Sequence, residues 1–262
     1  MNFYLVNVFT KNDKAGNQLA VVFPEKNLSD VHMQDIAKEF NFSETVFIDA
    51  YQNLRIFTPK SELPFAGHPS VGAAWTLNHL GIKTHILNLP LGKVKMKASE
   101  DGAEITFPGT PTHRDFEGNL SEVLQHCCVK REDVLEEKIK LIHVGPEFLL
   151  IPLRSRQALK KAVSPMSYKG ILKVYFVFKE MDELYHVRMF SPLLSVPEDP
   201  ATGSAACALA YFIKTFEEHS TGRAIVYQGL ELNRACEMHL HWNEEIHLGG
   251  KVRLWAQGQL HL

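Results

Sequence analysis

Two copies of one motif stand 133 residues apart, and this repeat limits the possible folds more than any other feature of the chain. Residues 55–77 read RIFTPKSELPFAGHPSVGAAWTL, and residues 188–210 read RMFSPLLSVPEDPATGSAACALA. Aligned without a gap, Arg55/Arg188, Phe57/Phe190, Pro59/Pro192, Pro64/Pro197 and Ala73/Ala206 coincide, and Thr58/Ser191, Ile56/Met189 and Leu63/Val196 are conservative exchanges. Solenoid arrays repeat every 20–50 residues or so, which rules out that architecture. A single repeat at about half the chain length predicts two similar halves facing each other, with a site between them.

Each copy has a physical reading. Arg-hydrophobe-Phe-Thr/Ser-Pro is a short strand that stops at proline, which cannot donate to a sheet ladder. A polar loop follows, and then a run of small and apolar residues at helical spacing. In the first copy Pro69 suits the opening turn of that helix, Val71, Ala74, Trp75 and Leu77 supply buried positions, and Gly81 ends it. In the second copy Thr202 can cap, Gly203 lets a ligand approach, and Ala205, Leu209, Phe212 and Phe216 form the apolar face. Strand, polar loop and helix start aim free backbone N–H groups and a positive dipole end at an anion. Two such helix starts could clamp one carboxylate-bearing molecule, and both helices could equally be the buried centres of two halves.

Composition removes several function classes. The chain has 262 residues, 45% hydrophobic, enough for one or two good cores. A formal net charge of −2 without a basic block gives nucleic-acid binding little support. No apolar stretch reaches the ~20 residues that span a bilayer. The opening MNFYLVNVFT has no basic n-region or small-residue cleavage site, so it does not read as a signal peptide. Four cysteines, of which Cys127 and Cys128 are adjacent, lack zinc-ribbon or disulfide-scaffold spacing and read as reduced thiols in a cytoplasmic protein.

Along the chain, Phe3–Phe9 and Leu19–Phe23 read as a hairpin around Gly16-Asn17, and Ser29–Glu39 as a surface helix. Thr45–Asp49 and Leu54–Phe57 are strands. Lys93–Ala98 alternates, turns at Asp101-Gly102 and returns as Glu104–Phe107. His113–Asn119 is polar and reads as the link between halves, which sets the division at 1–112 and 113–262, with the last strand free to return to the first half. Ser121–Cys127 and Arg154–Ala162 read as helices, Val174–Phe178 with Leu184–Phe190 as a hairpin, and the stretch from Ala224 as strands. The expected class is α+β: each half a curled, mostly antiparallel sheet around one central helix, and not a doubly wound fold.

Three segments carry a resemblance: SETVF at 43–47, ELPFAGHPSVGAA at 62–74 and EDPATGSAA at 198–206. They are similar to the phenazine-biosynthesis isomerase family, the PhzF-like proteins. The opening hairpin is similar too, although that family usually has aspartate where Asn7 stands. The resemblance runs over nearly the whole chain, which is somewhat short for the family. It implies the diaminopimelate-epimerase fold, with two pseudo-symmetric halves and an active site in the cleft between them. It also implies a homodimeric isomerase that needs no cofactor or metal and moves a proton within a small carboxylate-bearing substrate.

The candidate residues follow from these motifs. Glu44 matches the glutamate of the Ser-Glu-Thr segment and is the expected general acid/base. One carboxyl can remove and return a proton if burial raises its pKa, and Phe42, Val46 and Phe47 flank it. An isolated glutamate in a strand would otherwise be expected at the surface. His68, at the start of the first central helix, could orient the substrate or exchange a proton. Asp199 could hold a substrate amine or hydroxyl, or cap the turn at Thr202. Ser204 could bond the substrate or cap its helix. Gly67, Gly72, Thr202 and Gly203 complete the expected substrate-binding set, the glycines by letting backbone N–H groups touch a carboxylate or by backbone freedom alone.

Three alternatives remain to be weighed. Cys236, His239, His241 and His247 could bind zinc, yet no tight Cys-x-x-Cys or His-x-x-x-His pair anchors them, so a solvated strand is expected. An epimerase working with two thiols needs one from each half, and nothing before Cys127 is a cysteine, which excludes two-thiol racemisation. A non-catalytic metabolite-binding protein of the same fold would have no use for Glu44, His68, Asp199 and Ser204 together. In the stretch Gln228–Cys236 relatives usually carry Gly-Arg-Pro-Ser after Gln-Gly. Only Arg234 keeps that pattern here, which leaves substrate choice open.

Overall fold

A computed structural model describes every residue except 26–27, 166–172, 192–195, 218 and 262. The chain forms two units, residues 1–108 with 247–262, and residues 109–246.

In the first unit β1 (Asn2–Val8) and β2 (Asn17–Phe23) form the expected antiparallel hairpin, with Leu5 opposite Ala20. Gly16 makes its turn at φ +87°, and a Cβ there would lie 2.8 Å from the Val8 carbonyl oxygen, so no other residue fits. After α1 (Asp30–Phe40), β3 (Thr45–Ile48) returns parallel to β2, and β4 (Leu54–Phe57) and β5 (Glu62–Leu63) add on antiparallel. Beyond α2 (Gly67–His79), β6 (Ile86–Leu89), β7 (Gly92–Ala98) and β8 (Gly102–Thr106) form a meander. The chain's last strand, Ile246–Gln259, pairs antiparallel with both β8 and β1 and joins the two parts into one sheet. An isolated bridge between Asn53 and Asn88 draws its far edges together.

The sheet curls around α2, whose residues Gly67 to Leu77 are all buried. A helix that is apolar all round belongs in a core. Gly72 lets the sheet approach, since a Cβ there would meet Leu19 Cδ2 at 2.4 Å and Val8 Cγ2 at 2.9 Å. The helix ends as the sequence predicts: Gly81 at φ +75° donates to the Asn78 carbonyl and Ile82 to the Leu77 carbonyl, each at 2.9 Å.

The second unit repeats this succession. Following β9 (Thr112–Arg114) and α3 (Leu120–His126), β10 (Lys140–His143) and β11 (Glu147–Leu153) form a hairpin. Then come α4 (Arg156–Lys161), the parallel strand β12 (Val174–Met181), the antiparallel β13 (Leu184–Ser191), the short β14 (Val196–Asp199) and the central helix α5 (Gly203–Phe216). Finally β15 (Gly222–Gln228) pairs parallel with β13, and β16 (Cys236–Trp242) pairs antiparallel with β15. Hairpin, crossover helix, parallel strand, antiparallel return, short strand and central helix occur in both units in the same order. The architecture is α+β and not doubly wound.

The structure corrects the register of the repeat. Arg55 grips Glu62 with two hydrogen bonds of 2.7 and 2.6 Å, and Arg188 grips Glu198 the same way at 2.8 and 2.6 Å. Glu62 and Glu198 are 136 residues apart, as are Gly67 and Gly203, which open the two central helices. The second loop, from Phe190 to Glu198, is therefore three residues longer than that from Phe57 to Glu62. Past that loop both copies read Glu-x-Pro-x-x-Gly, so Pro64 matches Pro200 and not Pro197, and Ala73 matches Leu209 and not Ala206. The Pro59/Pro192 pairing falls on a residue outside those described. The polar stretch His113–Asn119 is not a plain link either: Thr112–Arg114 is β9, paired antiparallel with β10. No helix among the described residues is long and apolar enough to cross a membrane.

Candidate functional site

Glu44 immediately precedes β3. Phe47 on that strand packs with Met33, Ile36 and Ala37 of α1, so strand alternation turns Glu44 the other way, toward α2. There its Oε2 lies 3.0 Å from Nδ1 of His68, the second residue of α2. The His68 side chain is 3% exposed and that of Glu44 19%. The other ring nitrogen of His68, Nε2, is buried and has no hydrogen-bond partner among the described residues. A buried polar nitrogen left without a partner is an uncommon and unfavourable arrangement in a native protein.

The start of α2 is open as well. Ser29, Asn119 and Ser155 each cap their helices by accepting a backbone N–H, but Ala66 before α2 has no side chain to do so. Pro69 brings no N–H, which leaves those of Gly67 and His68 as the donors of the first turn.

In the second unit Asp199 ends β14 and Thr202 stands at the N-cap of α5. Thr202 does not cap, contrary to the sequence expectation: its hydroxyl donates instead to Asp199 Oδ2 at 2.6 Å. The donors of Gly203, Ser204 and Ala205 are thus uncapped. Asp199 spends this contact on Thr202 and not on the helix backbone. Gln228, at the end of β15, closes the group. Its Nε2 donates to the Asp199 carbonyl at 2.8 Å and to Thr202 Oγ1 at 3.0 Å, and its Oε1 accepts from the Thr202 N–H at 3.3 Å.

The structure therefore joins Glu44 to His68 in one unit, and Asp199 to Thr202 in the other. Gly67, Gly203 and Ser204 lie in the first turns of their helices. Gly72 is a correction: it sits in the second turn of α2, where its N–H belongs to the helical ladder, and its small size serves the contact with Leu19. Gln228 was missed by the sequence reading. Its signal was parity, a glutamine on the strand face otherwise filled by the buried Ala224 and Val226.

β16 sets Cys236 and His239 on opposite faces. Cys236 is buried on the face of Met238, Leu240 and Trp242, while His239 faces out and bonds Glu237 at 2.8 Å. On α5, burial pushes the Cys207 thiol up to about 12, which keeps it neutral. The corresponding position of α2 is Val71.

The whole chain has relatives. The model of the phenazine biosynthesis-like protein family matches residues 6–258. An uncharacterized isomerase of Pasteurella multocida is 37% identical, over 98% of this chain and 93% of that protein. The trans-2,3-dihydro-3-hydroxyanthranilate isomerase of Pseudomonas fluorescens is 31% identical, over 90% of this chain and 88% of its own length. Among solved structures, a PhzF-family protein of Bacillus anthracis superposes with a TM-score of 0.88 at 19% identity, covering 100% of this chain and 99% of that one. A hydroxyproline epimerase of Agrobacterium vitis shares the fold at a TM-score of 0.67 and 11% identity, covering 99% and 90%. By sequence, by fold and by the motif that carries Glu44 and His68, the chain belongs to the family of phenazine biosynthesis-like proteins and, with them, to the isomerases.

Proposed function

We propose that the chain moves a proton within a small carboxylate-bearing substrate without a cofactor, and that Glu44 is the group that carries the proton. The observation behind this reading is the half-buried Glu44–His68 pair at 3.0 Å, set at an uncapped helix start with a histidine nitrogen unused. A carboxylate next to a carbon acid takes the C–H proton. The electron pair left behind spreads into the adjacent unsaturated or carboxylate system, and the same carboxyl returns the proton at another carbon. No atom is gained or lost, so one group suffices.

The surroundings fit those steps. His68 Nδ1 fixes the direction of the Glu44 carboxyl, and Nε2 remains to bond the substrate. The N–H groups of Gly67 and His68, with the helix dipole behind them, stabilise negative charge building up on the substrate. Asp199 of the second unit offers, within that unit, a carboxylate of the kind that holds a hydroxyl or amine. The relatives named trans-2,3-dihydro-3-hydroxyanthranilate isomerase carry in that name a carboxylate on a partly reduced ring, a substrate of this class.

The test is solvent exchange. A panel of small cyclic and amino-acid carboxylates, including the dihydro-hydroxyanthranilate, is incubated in D2O with wild type, Glu44→Gln and His68→Asn. Deuterium is expected to enter a carbon position with wild type and to fall about 10²–10⁴-fold with Glu44→Gln, the usual range for a positioned acid/base. Exchange that persists in Glu44→Gln overturns the assignment. Binding by calorimetry without exchange in wild type overturns catalysis in favour of a metabolite-binding protein.

A further inference from the structure

Gln228 is 1% exposed, and both polar atoms of its amide are hydrogen-bonded. Its orientation is fixed by its partners. Turned round, Oε1 would face the Asp199 carbonyl oxygen, acceptor against acceptor, and Nε2 would face the Thr202 N–H. With Nε2 donating into Thr202 Oγ1, that hydroxyl must point its own proton elsewhere, and Asp199 Oδ2 lies 2.6 Å away. This distance falls in the range of O–H···O⁻ bonds to an ionised carboxylate. Gly229, the next residue, locks the device to its loop. It adopts φ +75°, and a Cβ there would meet the Arg234 carbonyl oxygen at 2.4 Å and that of Pro200 at 2.7 Å.

From this we infer that Gln228 is a positioning residue: it directs the Thr202 hydroxyl at Asp199, which stays a charged acceptor, and in doing so keeps Thr202 from capping α5. The inference rests on the proposed substrate-binding role of Asp199. Nothing equivalent exists at α2, where the positions of Thr202 and Asp199 are filled by Ala66 and Leu63. The charged neighbour of Asp199 on β14, Glu198, bonds Arg188 on β13.

The experiment follows the carboxyl carbon of Asp199 by NMR in the full chain without substrate, as pH is lowered. The wild-type midpoint is the reference. Thr202→Val should raise it by about one unit, and Thr202→Ser should not, because one hydroxyl bond to the charged form is lost only in the first. Gln228→Met should raise the midpoint in wild type and add nothing in the Thr202→Val background, since both act through the same hydroxyl. A Gln228→Met midpoint equal to wild type, or shifts that simply add, would make Gln228 mere structural glue and overturn the proposal. Should Gln228→Met fail to fold, the Thr202 hydroxyl proton of wild type decides. Slow exchange with water and coupling to the Asp199 carboxyl carbon are expected, and fast exchange overturns the idea. The function reading fails separately: if Asp199→Asn retains full deuterium exchange on the substrate panel, Asp199 binds nothing, whatever its titration shows.

Discussion

The two units are built on one plan and armed differently. Strand register defines equivalent positions: Thr45 stands opposite Phe57 as Val174 stands opposite Phe190. Glu44 therefore corresponds to Lys173, and His68 to Ser204. Where the first unit sets a carboxyl against an imidazole, the second has an ammonium 5.3 Å from the Phe148 ring and a serine. The scaffold was duplicated, and the carboxyl–imidazole pair belongs to one copy alone. A proton shuttle with one carboxyl needs no more than that, whereas a two-base racemase would need a reactive group in both.

The largest effect should come from attacking that asymmetry. Glu44→Gln is expected to lower deuterium exchange about 10²–10⁴-fold, and Lys173→Gln to leave it unchanged. Parallel exchange rates for the two variants on one substrate check this. Equal losses would mean that the second unit also handles the proton, and the contrast would fall.

Next comes the arginine that both copies keep. Arg188 and Glu198 have side chains only 9% and 10% exposed, and the guanidinium also donates to the carbonyls of Leu159, Lys160 and Ala162 at the end of α4. Arg55 is 31% exposed and shares itself between Glu62 and the open Asp30, which is 79% exposed. Removing one partner of a buried pair strands the other, so Arg188→Met should cost roughly 3–5 kcal/mol. Arg55→Met should cost under about 1 kcal/mol, since water screens the pair. Denaturant midpoints of the two variants give the comparison directly, and similar values would show that burial does not set the worth of this pair.

Much of this was legible in the sequence because strong local signals agreed with the fold. The opening hairpin, α1 (read one residue early, at Ser29–Glu39), and both central helices were marked by periodicity and turn residues. The repeat exposed the two-unit plan, but the register slipped after the proline loop because alignment without a gap cannot see a three-residue insertion. The pairing of Arg55 with Glu62 and of Arg188 with Glu198 supplies the true frame. β9 was hidden because Thr112–Arg114 is exposed on every residue, so no alternation marked it. The edge strands β5 and β14 are too short to show a pattern. Within the candidate site, Glu44, His68 and Asp199 were found through motifs, whereas Gln228 acts from a distant strand that no local pattern connects to Thr202.

A smaller contrast lies within the central helices. Gly72 corresponds to Ala208 on α5, where a methyl is already accommodated. Gly72→Ala should cost about 1–3 kcal/mol by driving its Cβ into Leu19 and Val8. Ala208→Gly should cost no more than the helix propensity lost, about 1 kcal/mol. Thermal unfolding of both variants separates overpacking from propensity, and a stable Gly72→Ala would mean that Leu19 gives way.

The smallest effect is expected at Tyr175, the counterpart of Val46. Its ring fills the core of the second unit, and its hydroxyl is buried without a hydrogen-bond partner among the described residues. Such a group forfeits its bonds to water on folding, so Tyr175→Phe should be neutral or stabilising by about 1 kcal/mol. Burial also raises the Tyr175 pKa well above 10.0, with a lesser contribution from Cys207. An acid whose pKa is raised by folding supports stability below its unfolded value, and that support is lost as pH climbs past it. Above pH about 10 the unfolded chain releases this proton and the folded one does not, which pulls the equilibrium toward unfolding. The advantage of Tyr175→Phe should therefore grow between pH 9 and 11, as read by urea midpoints at each pH. A loss of stability at neutral pH would instead mean that the hydroxyl is bonded in solution, and the second unit would hold a polar contact where the first has only Val46.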